Sequence, residues 1–234
     1  MSKSKLLLGL CLVMLFSIGA WADTVDFTPA SSGSLGTSTM TYGHITATAY
    51  VLDNNEVWQL STLWGRNDGS PEQGLGVCSE GASCSRSGDY NELSNEQNLE
   101  LIVLTLDPGY SWVSVGLGSL DENSQGLPEQ GAIFSGNTSD PNTVDATLFC
   151  VFAGGGSAEG CTNSGGAAPS IVFSSGVNSS SLFILPFDWN GNNSNNNDFL
   201  VHSAVIQPVP EPASLLLLGS GLVGLAGRMR RRFI

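Results

Sequence analysis

His44 and His202 are the two histidines of the chain, and they are its only candidates for a catalytic imidazole base. A serine or cysteine nucleophile needs such a base beside it, and the chain lacks the Gly-x-Ser-x-Gly pattern that presents a hydrolase serine. His44 stands at the start of one predicted strand and His202 lies inside another, where a histidine usually packs or faces solvent. We therefore predict no catalytic residue and no enzymatic activity.

Acidic and amide side chains leave two other chemistries open. Two carboxyl groups can hydrolyse a glycosidic bond when the fold brings them together, so a secreted hydrolase remains an alternative. Asp188, Asn190 and Asn192 place oxygen ligands at alternate positions, as at the start of a calcium-binding loop. Phe199 stands where that loop needs a glutamate, so we prefer an asparagine-rich loop with no cofactor, and calcium is the alternative. Trp189, inside this polar loop, is the candidate for an exposed contact with a sugar.

Four cysteines lie outside the N-terminal leader described below, at Cys78, Cys84, Cys150 and Cys161. Four cysteines can pair in three ways. We favour Cys78 with Cys84 and Cys150 with Cys161, because each pair brackets a short Gly/Ser-rich stretch that a disulfide would fix as a loop. A zinc site is the alternative, and the lack of a Cys-x-x-Cys pair disfavours it.

The apolar segments between these residues have the pattern of β-strands. They are rich in β-branched and aromatic residues and are bounded by Gly, Pro, Asn and Asp. The predicted strands are Ile45–Leu52, Leu99–Leu106, Ser111–Leu117, Val144–Phe152, Ser170–Phe173, Ser181–Phe187 and Phe199–Ile206. Asp107-Pro108-Gly109 predicts a turn that joins the second and third of them as a hairpin. No segment of residues 23–207 keeps a helical period, so we predict an all-β fold there, a jelly-roll-like β-sandwich.

Residues 23–207 form one predicted domain, the ectodomain, whose charge balance is extreme. Of the chain's 8 Lys and Arg only Arg66 and Arg86 lie in it, whereas it holds all but one of the 21 Asp and Glu, so its net charge is −18. Such a surface repels nucleic acid and anionic lipid, and we exclude nucleic acid as a partner. It suits solubility outside the cell and hydrogen bonding to neutral sugars.

Residues 1–22 have the parts of a secretory signal peptide. Two lysines precede an apolar core that ends at Ala20, and Ala20 and Ala22 are the small residues that signal peptidase requires. We expect cleavage after Ala22. The mature chain would then begin at Asp23, in a compartment that permits disulfides.

Residues 208–234 combine a proline-rich segment, an apolar run and a basic tail. Val209, Pro210, Glu211 and Pro212 should be extended, because proline fixes φ and has no N–H to donate. The apolar run, Ala213–Gly227, has no charged side chain and predicts a short transmembrane helix, since a full crossing takes ~20 residues. Four arginines follow and would hold this end on the cytoplasmic side of the inner membrane; they are Arg228, Arg230, Arg231 and Arg232.

This order of Pro-Glu-Pro, apolar helix and arginine-rich tail resembles the PEP-CTERM sorting signal of exported bacterial proteins. The resemblance implies that an integral-membrane exosortase recognises residues 209–212, cuts close to them and removes the tail. It implies signal peptidase and exosortase as partners and transient contact with the inner membrane. The final location would be the cell surface or extracellular matrix of a Gram-negative bacterium. An ordinary tail anchor after a proline-rich linker is the alternative.

A second resemblance lies inside the ectodomain. Gly74-Leu75-Gly76-Val77, Asn91-Glu92-Leu93-Ser94-Asn95 and the strand Leu99–Leu106 are similar to segments of the ectodomain of exosortase-dependent surface proteins. Those ectodomains have no catalytic residues to carry over to this chain. We expect a non-enzymatic structural role in the surface or biofilm matrix. A lectin-like, calcium-dependent module that binds extracellular polysaccharide is the alternative.

Overall fold

The computed structural model describes residues 21–79, 92–95, 98–120, 128–188, 197–209 and 219–221. Within them the chain is all-β, with two antiparallel sheets consistent with a β-sandwich. The strands are β1 (Asp23–Asp26), β2 (Gly33–Ser34), β3 (Thr39–Tyr42), β4 (Ile45–Leu52), β5 (Trp58–Leu60), β6 (Thr62–Asn67), β7 (Gln73–Cys78), β8 (Leu93–Ser94), β9 (Glu100–Leu106), β10 (Tyr110–Gly118), β11 (Gln130–Gly136), β12 (Thr147–Ala153), β13 (Ala158–Glu159), β14 (Thr162–Asn163), β15 (Ser170–Val177), β16 (Ser181–Pro186) and β17 (Asp198–Pro208). A 3-10 turn, Gly154–Gly156, follows β12.

The first sheet is built around the last strand. Its order is β14-β15-β10-β17-β7-β6-β2, and β1 and β8 also pair with β17. Along β17, Phe199 pairs with Leu93 of β8, Val201 with Leu75 of β7, and the last four paired residues with β1. The strand that leads toward the C-terminal segment is therefore held by several others.

The second sheet has the order β13-β12-β11-β16-β9-β4-β3, with β5 paired to β4. β4 is confirmed at the predicted bounds, Ile45–Leu52, and pairs with β9 over seven positions. The register between β11 and β12 shifts after Ile133, which leaves Phe149 as an extra residue in β12. Such a bulge twists the strand locally and turns Phe149 toward the core.

The two sheets pack face to face around one apolar core. Phe152 of the second sheet meets Phe199 of the first edge-on, with ring centroids 5.4 Å apart, and Phe149 meets Phe173 at 5.0 Å. Trp112, on β10, is fully buried, and its indole N–H donates to the carbonyl of Ser179 at 3.0 Å. Aromatic side chains thus fill the space between the sheets, as strand alternation requires.

A loop of residues 137–146 covers part of the outer face of the second sheet. Val144 packs there against Leu101, Val103 and Phe183. The side chain of Asn142 accepts the N–H of Trp58 at 2.8 Å and donates to its carbonyl at 2.9 Å. The predicted strand from Val144 is therefore wrong at its start, because β12 begins at Thr147.

The predicted hairpin between β9 and β10 is also wrong. Asp107-Pro108-Gly109 does form the turn, and Gly109 has φ +92°, which glycine adopts without strain. However, β9 pairs with β4 and β16 in the second sheet, whereas β10 pairs with β15 and β17 in the first. The turn therefore carries the chain from one sheet to the other.

The predicted transmembrane helix falls mostly on residues outside the described part of the chain. Residues 219–221 are helical. Among the described residues, no helix is both long enough and apolar enough to cross a bilayer.

Candidate functional site

The junction between β17 and the proline-rich segment is the part of the predicted sorting site that the structure describes. Ala204 and Ile206 are fully buried, whereas Val209 is 44% exposed. β17 ends at Pro208, which has no N–H to continue the ladder. The chain is therefore buried at Ile206 and exposed to solvent three residues later, at Val209.

The N-terminal strand is fixed beside this junction. β1 pairs antiparallel with β17, with Asp23 opposite Ile206 and Asp26 opposite Ser203. The N–H of Phe27 donates to the carbonyl of His202 at 2.9 Å, and the Phe27 side chain is fully buried. β1 begins at the residue that follows the predicted cleavage position, and Ala22 itself is exposed.

Several predicted site residues lie outside the described residues. They are Ala20, Cys84, Trp189, Asn190, Asn192, Pro210, Glu211, Pro212, Arg228, Arg230, Arg231 and Arg232. Asp188, from the calcium alternative, is half-buried just after β16. Among the described residues, no group of three or more His, Cys, Asp or Glu side chains is arranged to hold a metal ion.

The two cysteine pairs have different outcomes. Cys150 of β12 and Cys161 are joined by a disulfide, with Cα atoms 5.5 Å apart, so this pair is confirmed. The bridge ties the bulged part of β12 to the segment between β13 and β14. Cys78 is also disulfide-bonded. Because Cys84 lies outside the described residues, its pairing with Cys78 stays a prediction.

His44 lies in the β3–β4 turn and His202 in β17, and each has a structural partner. His44 Nδ1 lies 3.1 Å from Asp107 Oδ2, and Nε2 lies 2.8 Å from the hydroxyl of Tyr110, whose ring stacks on the imidazole. These contacts join the β3–β4 turn to the β9–β10 turn. His202 Nδ1 lies 3.4 Å from Thr28 Oγ1, beside β1.

An ion cluster at one end of the first sheet was missed by the sequence analysis. Arg66, on β6, forms ion pairs with Asp68 at 3.4 Å, with Glu72 at 2.6 Å and with Glu92. Asp198, at the start of β17, is close enough for its charge to act on Glu92. The available signal was Arg66 itself, because one of only two basic residues in so acidic a domain attracts carboxylates.

A shallow apolar groove of about 320 Å³ lies beside the Cys150–Cys161 disulfide. Its lining includes Leu148 and Phe187, which are 50% and 37% exposed, and Glu159. Gly160 lies against β12 so closely that an added Cβ would meet the carbonyl oxygen of Phe149 at 2.4 Å. The groove therefore combines exposed apolar surface with one acidic residue.

Comparison with known proteins identifies one segment of the chain. Residues 208–232 match a family model described as the PEP-CTERM protein-sorting motif. The match begins at the residue where β17 ends. It indicates exosortase-dependent sorting of a surface protein, with exosortase as the processing partner and export to the bacterial cell envelope or surface. No curated protein and no solved structure matches the chain.

Proposed function

We propose that this chain is a non-enzymatic structural protein of the bacterial cell surface or extracellular polysaccharide matrix, exported after signal-peptide removal and processed by an exosortase. The match of residues 208–232 to the sorting motif is the observation that carries the proposal. The host would be Gram-negative, and the protein would stay in the inner membrane only until it is processed.

The processing step uses the chain that follows the sandwich. The exosortase would meet residues 209–212 near the outer face of the inner membrane, while Arg228 and the arginines after it remain inside. It would cut close to the Pro-Glu-Pro segment by acyl transfer. The exposure of Val209, directly after the end of β17, supports an accessible backbone at this point.

The jelly-roll type of the sandwich is also our inference, and the strand order supports it. Eight strands starting at β7 and ending at β17, with β8, β13 and β14 left aside, fall into the orders β7-β17-β10-β15 and β9-β16-β11-β12. Numbered 1 to 8 along the chain, these are the orders 1-8-3-6 and 2-7-4-5. Two Greek keys wound together produce this arrangement.

A structural role for the ectodomain has two supports. His44 and His202 link turns and strands through Asp107 and Thr28, which are packing roles rather than roles at a nucleophile. The large negative charge of the ectodomain suits a protein that stays dispersed in a hydrated matrix. We propose no cofactor.

A carbohydrate-binding module, calcium-dependent or not, is the second candidate, and the groove beside Phe187 favours it. An exposed aromatic ring can stack on a sugar, and a carboxylate in the same groove can accept hydrogen bonds from the sugar hydroxyls. Trp189 follows Phe187 by two residues. Glycan-array binding that is lost in both Phe187→Ala and Trp189→Ala, and kept in Leu60→Ala, would favour this candidate. Turnover of a matrix polysaccharide would instead indicate a hydrolase.

The sorting proposal is tested by replacing Pro210, Glu211 and Pro212 with alanine. The signal peptide, the apolar run and the arginines are unchanged, so export and membrane insertion should persist. Alanine lets the helix extend back from Ala213 and hides the extended backbone that the protease must bind. We expect uncleaved protein in the inner-membrane fraction, detected with an antibody to an internal epitope. If this variant is processed and displayed on the surface like the parent, the sorting proposal is wrong. The apolar run is then an ordinary membrane anchor that follows a proline-rich linker.

A further inference from the structure

Glu92 is the most deeply buried carboxyl group of the Arg66 cluster, which comprises Arg66, Asp68, Glu72, Glu92 and Asp198. Its side chain is 1% exposed, against 28% for Glu72 and 54% for Asp68. Asp198 is also buried, at 6%. The cluster thus has an open side at Asp68 and Glu72 and a closed side at Glu92 and Asp198.

Asp68, Glu72 and Glu92 share few donors among the described residues. Arg66 is the only Lys or Arg in the part of the chain that the structure describes, and its guanidinium is shared among three carboxylates. Ser119 Oγ lies 3.0 Å from Glu72 Oε1 and 3.1 Å from Glu92 Oε1. A hydroxyl has one proton and donates to only one of these oxygens at a time.

The two oxygens of Glu92 differ in their contacts. Oε1 contacts Arg66 and Ser119, whereas Oε2 is buried and has no hydrogen-bond partner. Both oxygens of an ionised carboxylate act only as acceptors, so a buried one is less stable when either oxygen has no donor. A buried neutral hydroxyl without a partner costs much less free energy than a buried charge without one. The geometry therefore favours a proton on Oε2.

We propose that Glu92 is protonated in the folded sandwich and that the Arg66 cluster makes the attachment of β8 to β17 sensitive to pH. Glu92 directly precedes β8, whose Leu93 and Ser94 pair with Phe199 and Asp198 of β17. Release of the proton to solvent leaves a negative charge beside Asp198 and Glu72. The residue that bears this charge is attached to a strand of only two residues, so β8 is the element that ionisation loosens from β17.

The electrostatic balance at Glu92 agrees with this geometry. Burial raises the pKa of Glu92 well above its usual range, and the charge of Asp198 raises that pKa further. Arg66 lowers the pKa, Glu72 opposes Arg66, and the Ser119 hydroxyl has a smaller lowering effect. The folded state therefore holds a proton that the unfolded chain has already lost. Stability from this group is complete at acidic pH and falls as pH rises toward the folded pKa.

Infrared spectroscopy of the full-length chain tests the proton directly, because a protonated carboxyl group absorbs apart from carboxylates. We expect a protonated-carboxyl band above pH 4.5, where an ordinary glutamate is ionised, and Glu92→Gln should remove it. Glu100→Gln is the matched control, since Glu100 is also buried but its Oε2 accepts the N–H of Ser94 at 2.9 Å, and the band should persist. Asp198→Asn removes a neighbouring charge and should make the band disappear at a lower pH than in the parent. A spectrum that Glu92→Gln leaves unchanged would overturn the proposal.

Chemical unfolding across pH measures the consequence for stability. Above the ordinary value of 4.5 and up to the folded pKa, the unfolding constant of the parent should rise about tenfold per pH unit relative to that of Glu92→Gln. Equal slopes for the two proteins would contradict a proton at Glu92. Addition of calcium chloride tests whether a cation, rather than a proton, binds at Glu92. If it removes the infrared band and stabilises the parent but not Glu92→Gln, the proposal is wrong.

Discussion

Asp23 lies opposite Ile206 in the antiparallel register of β1 and β17. Paired residues of antiparallel strands have Cα atoms about 5 Å apart. The expected start of the mature chain and the last buried residue before the sorting motif are therefore neighbours in one sheet. The pairing of β1 with β17 therefore joins the first and last strands of the sandwich in one sheet.

The first prediction concerns the attachment of β1. Phe27 is fully buried and meets Tyr42 edge-on with ring centroids 5.2 Å apart. Phe27→Ala should lower the free energy of unfolding by about 3–5 kcal/mol, from lost burial and the cavity left behind. Urea unfolding followed by tryptophan fluorescence measures this loss. Thr24→Ala, at an exposed position of β1, should change it by less than about 0.5 kcal/mol. Equal effects of the two changes would mean that β1 is not held through Phe27.

The second prediction concerns the Cys150–Cys161 disulfide, which closes a loop with a sequence separation of 11. Replacing both cysteines with alanine should lower the free energy of unfolding by about 2–3 kcal/mol, chiefly because the unfolded chain gains freedom. Denaturant unfolding gives the value. A non-reducing peptide map of the parent is the control and should contain the local crosslink. A crosslink from Cys150 to Cys78 instead would contradict the structure.

The third prediction concerns the turn between β4 and β5. Asp53 Oδ1 accepts the N–H groups of Asn55 at 2.8 Å and Val57 at 3.0 Å. Hydrogen bonds from Val57 and then Asn55 lower the pKa of Asp53 below its usual 3.8. Stability from this group is therefore complete above that value and is lost as pH falls through the lower folded pKa. In a plot of the free energy of unfolding against pH, Asp53→Asn should reduce the loss of stability at acidic pH. Asp145→Asn, at an exposed loop position, should not. If Asp53→Asn loses stability at acidic pH as steeply as the parent, the hydrogen bonds of this turn do not stabilise the ionised Asp53.

Sequence predicted local structure here better than it predicted pairing. The bounds of β4 and the turn at Asp107-Pro108-Gly109 follow from residue types alone. Whether that turn makes a hairpin depends on which sheet receives β10, and packing of the whole core decides this. The Arg66 cluster was missed for the same reason, since the burial of Glu92 is a property of the assembled end of the sheet. The segment of residues 208–232 was recognisable because its motif, apolar run and basic tail are contiguous.

The fourth prediction concerns the arginine tail. Replacing Arg228, Arg230, Arg231 and Arg232 with serine removes the charges that hold the C-terminal end in the cytoplasm. The short apolar run should then slip through or invert, and full-length protein should appear outside the inner membrane. Fractionation with an antibody to an internal epitope measures this release. Replacing the same residues with lysine keeps the charge and should preserve membrane retention before processing. Identical behaviour of the serine and lysine variants would mean that charge does not set the topology.

Mass spectrometry of both ends of the mature protein tests the central claim most directly. Exosortase processing at the sorting motif predicts a chain that starts at Asp23 and ends between Gln207 and Pro212, without the apolar run or the arginines. A mature protein that starts at Asp23 but still ends at Ile234 would contradict the claim.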